Sequence, residues 1–130
     1  DCFALMESIE QELLADFKES LQLIDGFDVS ALISAIYAMV ERHEDACRVL
    51  IFGGASTSVP GSMISLARES AIASWKKQLR QASDAELEML YTHLSNGLLN
   101  VVLEGYDQFS REDVISFVNR IVKCSLSLFR

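Results

Sequence analysis

Residues 83–105 of this chain read SDAELEMLYTHLSNGLLNVVLEG, and they decide the fold. Ser83 and Glu86 form the S-x-x-E pattern of a capping box, in which each side chain accepts a hydrogen bond from the backbone of the other residue at a helix start. Gly105 is the residue type that commonly ends a helix. The stretch therefore predicts a helix from about Ala85 to Leu103.

A second helix follows directly, because residues 110–129 read SREDVISFVNRIVKCSLSLF. Ser110 followed by Asp113 is a weaker form of the same start signal. The pattern predicts a helix from about Glu112 to Phe129. We therefore expect the chain to end in two long antiparallel helices.

Both helices of this hairpin are apolar over more of their circumference than one core requires. In the first, between Tyr91 and Leu103, the polar residues are only Thr92, His93, Ser95, Asn96 and Asn100. In the second, one apolar face is extended on its flanks by Ile115, Val122, Leu126 and Phe129. A helix that is apolar nearly all round must be covered from more than one side. We expect the hairpin to have two partners, the rest of its chain and a copy of itself.

The composition fits one domain with surplus apolar surface. The chain has 130 residues, enough for a self-sufficient core, and half of them are apolar. Charged residues make up 23%, an ordinary share that excludes disorder. The net charge is −8 and the basic residues are scattered, so this part of the protein should repel phosphate backbones.

Cysteine usage and hydropathy bear on the compartment. Cys2, Cys47 and Cys124 are odd in number and widely spaced, which is typical of a reducing cytoplasm. The sequence shows no signal peptide, and its least charged stretch, Met89–Leu103, is too short to span a membrane. Because Asp1 is not a natural start, we expect a further N-terminal portion.

Four more helices are predicted before the hairpin, which makes six in an all-α chain. Apolar residues recur at helical spacing from about Phe3 to Ile24, from 28–30 to 41–43, from Asp45 to Phe52 and from about Gly61 to Gln81. Residues 53–61 are rich in Gly and Ser and predict a surface loop, with Pro60 suited to the first turn of the next helix. No run of residues alternates as a strand would.

Three stretches carry a resemblance to a known family. Residues 43–51 (HEDACRVLI) follow the second helix, residues 96–103 (NGLLNVVL) give a Gly-bearing apolar penultimate helix, and residues 110–113 (SRED) precede an apolar last helix. In these stretches, and in helix order over essentially the whole chain, the sequence resembles the C-terminal regulatory domain of the tetracycline-repressor (TetR) family of bacterial transcription factors, in the group common in Gram-positive bacteria. It departs from many relatives in having Gly105-Tyr106 where they carry a Trp.

The resemblance implies that residues 1–130 form one effector-binding and dimerisation domain. The last two helices of each subunit would pack against their two-fold mates as a four-helix bundle, and the other helices would enclose a small, largely apolar effector. DNA would be bound only by a helix-turn-helix domain, which is absent before Cys2. The implied dimer interface comprises Gly97, Leu98, Val101, Val114, Phe117, Val118, Ile121 and Leu128.

Candidate pocket residues are aromatic or polar-tipped side chains on apolar helix faces, since these can orient a ligand in an apolar cavity. They are Phe17, Tyr37, Trp75, Tyr91, His93 and Asn96. Taken individually, a residue of this kind is more often a core residue whose polar tip binds backbone or water than a ligand contact. His93 is compatible with either the pocket or the dimer seam.

Catalytic, metal and cofactor sites are not predicted. His43 and Cys47 have the i, i+4 spacing of metal ligands, but no second pair completes a site. The loop at 53–61 lacks the Gly-Lys-Ser/Thr ending of a phosphate loop, and no serine lies in a nucleophile motif. The alternative to a small-molecule effector is control by a partner protein, docked through this loop or an acidic helix face.

Overall fold

The computed structural model describes residues 1–56 and 58–130, and within them all regular structure is helical. This confirms the all-α prediction and its six α-helices. A π-helical segment continues the third helix. The elements are α1 (Cys2–Gln22), α2 (Val29–Arg42), α3 (Glu44–Cys47), the π-helical segment (Arg48–Phe52), α4 (Ser58–Gln78), α5 (Asp84–Gly105) and α6 (Arg111–Ser127).

Helices α1 and α2 form an antiparallel pair that is closed at one end by an ion pair. The turn between them contains Gly26 with a φ of +66°, a left-handed conformation that Gly adopts without steric cost. The Asp28 carboxylate then caps α2 by accepting from two backbone N–H groups. At the other end, Arg42 donates to both carboxylate oxygens of Asp16, at 3.0 and 2.6 Å. The Gly26 turn, the Asp28 cap and the bidentate Arg42–Asp16 pair thus hold α1 and α2 in their antiparallel arrangement.

The third helix differs from the uniform helix predicted for Asp45 to Phe52. It begins at Glu44 as an α-helix and widens into the π-helical segment Arg48–Phe52. The Gly53 N–H closes this segment by donating to the Arg48 carbonyl at 2.9 Å, an i to i+5 bond. A Cβ at Gly53 would lie 2.7 Å from the Val49 carbonyl oxygen, so the close approach requires glycine.

Helix α4 begins at Ser58, three residues earlier than predicted, and ends at Gln78. The Ser56 hydroxyl accepts a hydrogen bond from the Val59 N–H at 3.4 Å and so caps the helix. The sequence does not predict this cap, because Ser56 lies in a Gly- and Ser-rich stretch. Pro60 lies in the first helical turn, as expected. The surface loop is therefore shorter than residues 53–61, and Thr57 lies outside the described residues.

The terminal hairpin forms as predicted, with the capping box at Ser83 and Glu86 complete in both directions. Its turn is tightened by Phe109, whose ring lies over Gly105. A Cβ at Gly105 would come within 2.7 Å of that ring, so a larger residue would displace it. The hairpin end is therefore set by a side-chain contact as well as by the glycine.

The core lies where α1, α2, α4 and α5 meet, and α6 covers it from the side of α2 and α5. Phe17, Ile33 and Met63 are among its most buried side chains. Burial of one such side chain contributes roughly 1.5–3 kcal/mol to folding. Within residues 1–56 and 58–130, no helix has the length and apolar character needed to cross a membrane.

Candidate functional site

An apolar cavity lies in the core between α1, α2, α4 and α5, with Val122 of α6 closing one side. Phe17, Trp75 and Tyr91, three of the candidate pocket residues, contribute to its wall. Its volume is about 40 Å³, whereas sites for drug-sized ligands usually measure about 300 Å³ or more. The cavity is therefore a packing defect that a small apolar molecule would have to widen.

Three aromatic rings in contact with one another form part of the cavity wall. The Trp75 ring meets Phe27 edge-on, with centroids 5.7 Å apart, and lies 6.0 Å from the ring of Tyr91. The Tyr91 hydroxyl donates to the Ile64 carbonyl at 2.5 Å, which ties α5 to α4. Burial raises the pKa of Tyr91 to about 12, so the phenol stays neutral. Helical periodicity does not predict Phe27 as a wall residue, because it lies in the connection between α1 and α2.

Tyr37 lies elsewhere, in an aromatic stack at the hairpin turn. Its ring stacks on Tyr106 with centroids 5.3 Å apart, and the Arg111 guanidinium lies 5.4 Å from its ring centroid. Burial raises its pKa, and its hydroxyl is buried without a hydrogen-bond partner among the described residues. The next ring is Phe52, 5.3 Å from Tyr106. Tyr37 thus joins α2 to the turn and does not line the cavity.

Two further pocket candidates, His93 and Asn96, are exposed and also lie outside the cavity. His93 lines a depression on the outer side of the hairpin. Asn96 donates to the Thr92 carbonyl at 2.8 Å and lines a different groove, between α4 and α5. The helical periodicity of the sequence places His93 and Asn96 on α5. It does not show which sides of α5 are covered by the neighbouring helices.

The outer side of the hairpin carries an apolar depression, which we call the hairpin trough. It consists of two connected hollows of about 230 and 320 Å³ that share Val101 and Phe117. Gly97 and Ile121 line the first hollow, and Phe109 lines the second. Phe117 is 54% and Ile121 46% exposed, although both are large apolar residues. This surface is uncovered within the subunit.

The structure divides the C-terminal residues of the implied dimer interface into two groups. Phe117 and Ile121 on α6 are exposed, as is Leu128 directly after it, although Leu128 lines neither hollow of the trough. Val114 and Val118, by contrast, are only 2% and 3% exposed because they face the core of their own subunit. Val114 and Val118 therefore contribute only to the floor of the trough. Phe109, which the sequence reading did not select, joins the exposed group.

Gly97 makes no close packing contact with the described residues of its own subunit. A Cβ built on it meets no heavy atom within 4 Å, and its backbone is regular helix. In the interior of a helix glycine costs about 1 kcal/mol relative to alanine. Nothing within the described residues compensates for that cost.

Polar clusters elsewhere are explained by structural contacts. The Nε2 atom of His43 lies 2.7 Å from the Asp16 carboxylate, and Arg42, with a smaller contribution from His43, holds the pKa of Asp16 below its ordinary value. Burial raises the pKa of Cys47 to about 11, so this thiol stays protonated at neutral pH. In the part of the chain that the structure describes, no three His, Cys, Asp or Glu side chains are grouped as a metal site.

Comparison of the chain with protein-family models, curated proteins and solved structures gave no match. A functional assignment therefore depends on the cavity, the trough and the residues between them.

Proposed function

We propose that this chain is the homodimerisation and effector-binding domain of a cytoplasmic transcription regulator resembling the TetR family. A small apolar effector would alter the dimer and so change DNA binding by a domain outside this chain. The observation that carries the proposal is the hairpin trough, an apolar surface in two connected hollows on the outer side of α5 and α6.

The dimer proposal follows from the hydrophobic effect. Covering apolar surface contributes roughly 25 cal/mol per Å², and a two-fold interface counts the same face twice. Phe109, Phe117 and Ile121 would each be covered by the partner copy. Standard interfaces bury about 1,600 Å² in total, a size that two antiparallel helices per subunit can supply.

Gly97 supports a close approach of helices at the trough. Its missing side chain leaves a gap in the apolar face, and the subunit's own packing does not fill that gap. A helix of the partner copy that crosses there could come nearer than any larger residue would allow. The glycine's cost to helix stability would then be offset at the interface.

The cavity wall indicates the class of effector. Among the described residues its lining contains no charged side chain, and its polar groups are the Ser95 hydroxyl, the Trp75 indole N–H and the Tyr91 hydroxyl, which is bound to Ile64. A charged ligand would lose its hydration without gaining a counter-charge, at a cost of several kcal/mol. We therefore propose a neutral, mainly apolar effector that widens the cavity on binding.

Three side chains would transmit this widening to the dimer. Leu94, Leu98 and Val122 line both the interior cavity and the hairpin trough. Displacement of these side chains by an effector would change the shape of the surface that meets the partner copy. The dimer arrangement would shift by the difference in the effector's affinity for the two arrangements.

Sedimentation of the purified chain over a range of micromolar concentrations tests the dimer. We expect a monomer–dimer equilibrium that Gly97→Leu shifts strongly towards monomers, because the new side chain would occupy the crossing point. Gly97→Ala serves as the matched control for folding and should raise the stability of the isolated subunit by about 1 kcal/mol. A wild-type chain that remains monomeric would contradict the proposal.

The effector proposal can be tested with Trp75, because it is the only tryptophan of the chain and lines the cavity. A panel of neutral apolar compounds and their carboxylate analogues is titrated while the indole fluorescence is followed. We expect the neutral member of a pair to change the emission and raise the melting temperature, and the anion to do neither. Equal effects of both members would contradict an apolar site.

Control by a partner protein is the second candidate function. It is favoured by the contrast between the core cavity, at about 40 Å³, and a surface groove between α4 and α5, at about 690 Å³. If no compound in the panel stabilises the chain while the dimer forms as expected, this candidate replaces the first.

A further inference from the structure

A surface groove between α4 and α5 has a volume of about 690 Å³. We call it the α4–α5 groove. Its floor is apolar and includes Phe52, Ile64 and Leu103, which are only partly buried. One side is formed by Pro60 and Gly61 in the first turn of α4. No residue of this groove lines the hairpin trough, which lies on the other flank of α5.

The other side of the groove is a row of polar side chains on α5. Asn96, Asn100 and Glu104 follow one another at intervals of four residues and are all exposed. Four helical residues span about 6 Å, close to the roughly 6.8 Å that separates equivalent backbone groups two residues apart in an extended peptide. A carboxamide carries both donors and an acceptor, so it can bind the N–H and C=O groups of such a peptide.

The charge at the groove is negative. Of the described residues, Glu104 and Asp107 line it and no Lys or Arg does. Asp107 is already bound by Arg48, at 2.7 and 3.0 Å. The ion pairs found among the described residues do not include Glu104. A cationic side chain in the groove would therefore find an available carboxylate at the Glu104 end.

We propose that the α4–α5 groove binds an extended segment of another protein that carries a Lys or Arg beside apolar residues. The Asn100 carboxamide binds the peptide backbone, together with the Asn96 side-chain oxygen and the Asn96 N–H that is not donated to Thr92. Glu104 pairs with the basic side chain, and apolar side chains rest on Phe52 and Leu103. From Asn96 to Glu104 the helix rises about 12 Å, so the site holds about four extended residues.

The probe is a positional-scanning library of fluorescent hexapeptides, N-acetylated and C-amidated, with binding followed by polarisation. We expect selection of Lys or Arg at one position and of Leu, Ile or Phe two positions away, since those side chains lie on the same side of an extended chain. Uniform weak binding, or preference for acidic peptides, would overturn the proposal.

Gly61→Leu should abolish peptide binding, because a Cβ at Gly61 meets nothing within 4 Å and the longer side chain extends into the groove without clashing at its root. Asn100→Ala, an exposed substitution that leaves the fold intact, should weaken all selected peptides about fivefold by removing backbone hydrogen bonds. If both variants bind as the wild type does, the groove is not the site.

Glu104→Gln should weaken basic peptides roughly two- to fivefold and leave their norleucine analogues unchanged, as expected for an exposed ion pair. Glu12→Gln on α1, which does not line the groove, is the charge-matched control. Sedimentation of Gly61→Leu completes the test. A loss of self-association in this variant would show that a second copy of the chain occupies the groove. That result would contradict binding of a separate partner protein. The proposal of a dimer through the trough is tested independently by Gly97→Leu.

Discussion

Leu98 of α5 and Val122 of α6 lie in one layer of side chains that faces the interior cavity on one side and the hairpin trough on the other. Ligand binding and dimerisation would therefore meet at these two residues. In the proposed mechanism no backbone rearrangement would be required, because a shift of this side-chain layer would change the shape of both surfaces.

Leu98→Ala should alter effector binding and dimerisation together. Ile36 lines only the cavity and Val101 only the trough, so Ile36→Val and Val101→Ala are the matched controls. Truncation of Ile to Val in a core costs about 0.5–1.5 kcal/mol, and of Leu to Ala about 2–5 kcal/mol when the side chain is fully buried. We expect Ile36→Val to change only the dissociation constant of the ligand, and Val101→Ala to change only that of the dimer. Titration of the most effective apolar compound against each variant, with sedimentation, gives both constants. Independent constants in Leu98→Ala would show that the layer does not couple the sites.

Two tyrosines should respond oppositely to the same change. The Tyr91 hydroxyl donates to the Ile64 carbonyl, so Tyr91→Phe removes a hydrogen bond between α5 and α4 and should lower the free energy of unfolding by about 1 kcal/mol. Tyr37→Phe removes a buried hydroxyl that has no partner among the described residues, and should be neutral or stabilising. Urea denaturation of both variants measures the difference. A loss of stability in Tyr37→Phe would reveal a bound water or other partner.

Acid should weaken the contact between α1 and α2. Because Arg42 lowers the folded-state pKa of Asp16, ionised Asp16 stabilises the fold above its unfolded pKa near 3.8, and this contribution is lost as the pH falls through the lower folded value. At neutral pH, Asp16→Asn should cost about 1 kcal/mol, since Arg42 is half exposed and the pair is screened. Urea denaturation from pH 7 to pH 2 should show the difference in unfolding free energy between wild type and variant narrowing once the pH falls below about 3.8. A difference that stays constant down to pH 2 would mean that the carboxylate's charge is not responsible.

The local features of this fold were predictable because their causes are local. The capping box at Ser83 and the position of Pro60 depend on a few neighbouring residues, and both hold in the structure. The start of α4 was placed too late because Ser56 caps it from within a Gly-rich stretch. The π-helical segment was missed because it depends on a five-residue closure at Gly53, which no apolar period encodes.

The assignment of faces could not be obtained from sequence, because it depends on which helix covers which flank. Tyr37 and Trp75 are both aromatic residues on apolar helix faces, so the sequence does not distinguish them. In the structure, however, the Tyr37 ring stacks on Tyr106. Val118 and Ile121 are both apolar positions of α6, but α2 and α5 pack over only one of them. The periodicity of the sequence predicts how wide the apolar face of a helix is. Which part of that face is buried depends on the neighbouring helices.

Charges placed on these two positions of α6 should therefore separate folding from association. Val118 is 3% exposed, so Val118→Asp buries an unpaired carboxylate at a cost of several kcal/mol and should unfold the subunit. Ile121 is 46% exposed, so Ile121→Asp keeps its charge in water in the monomer and should lower only the dimer association constant. Lys123→Glu, an exposed charge change on the same helix outside the trough, should alter neither property. Circular dichroism melts report folding, and sedimentation velocity at matched concentrations reports association. If Ile121→Asp sediments as the wild type does while folded, then the outer face of the hairpin is not the surface through which two copies meet.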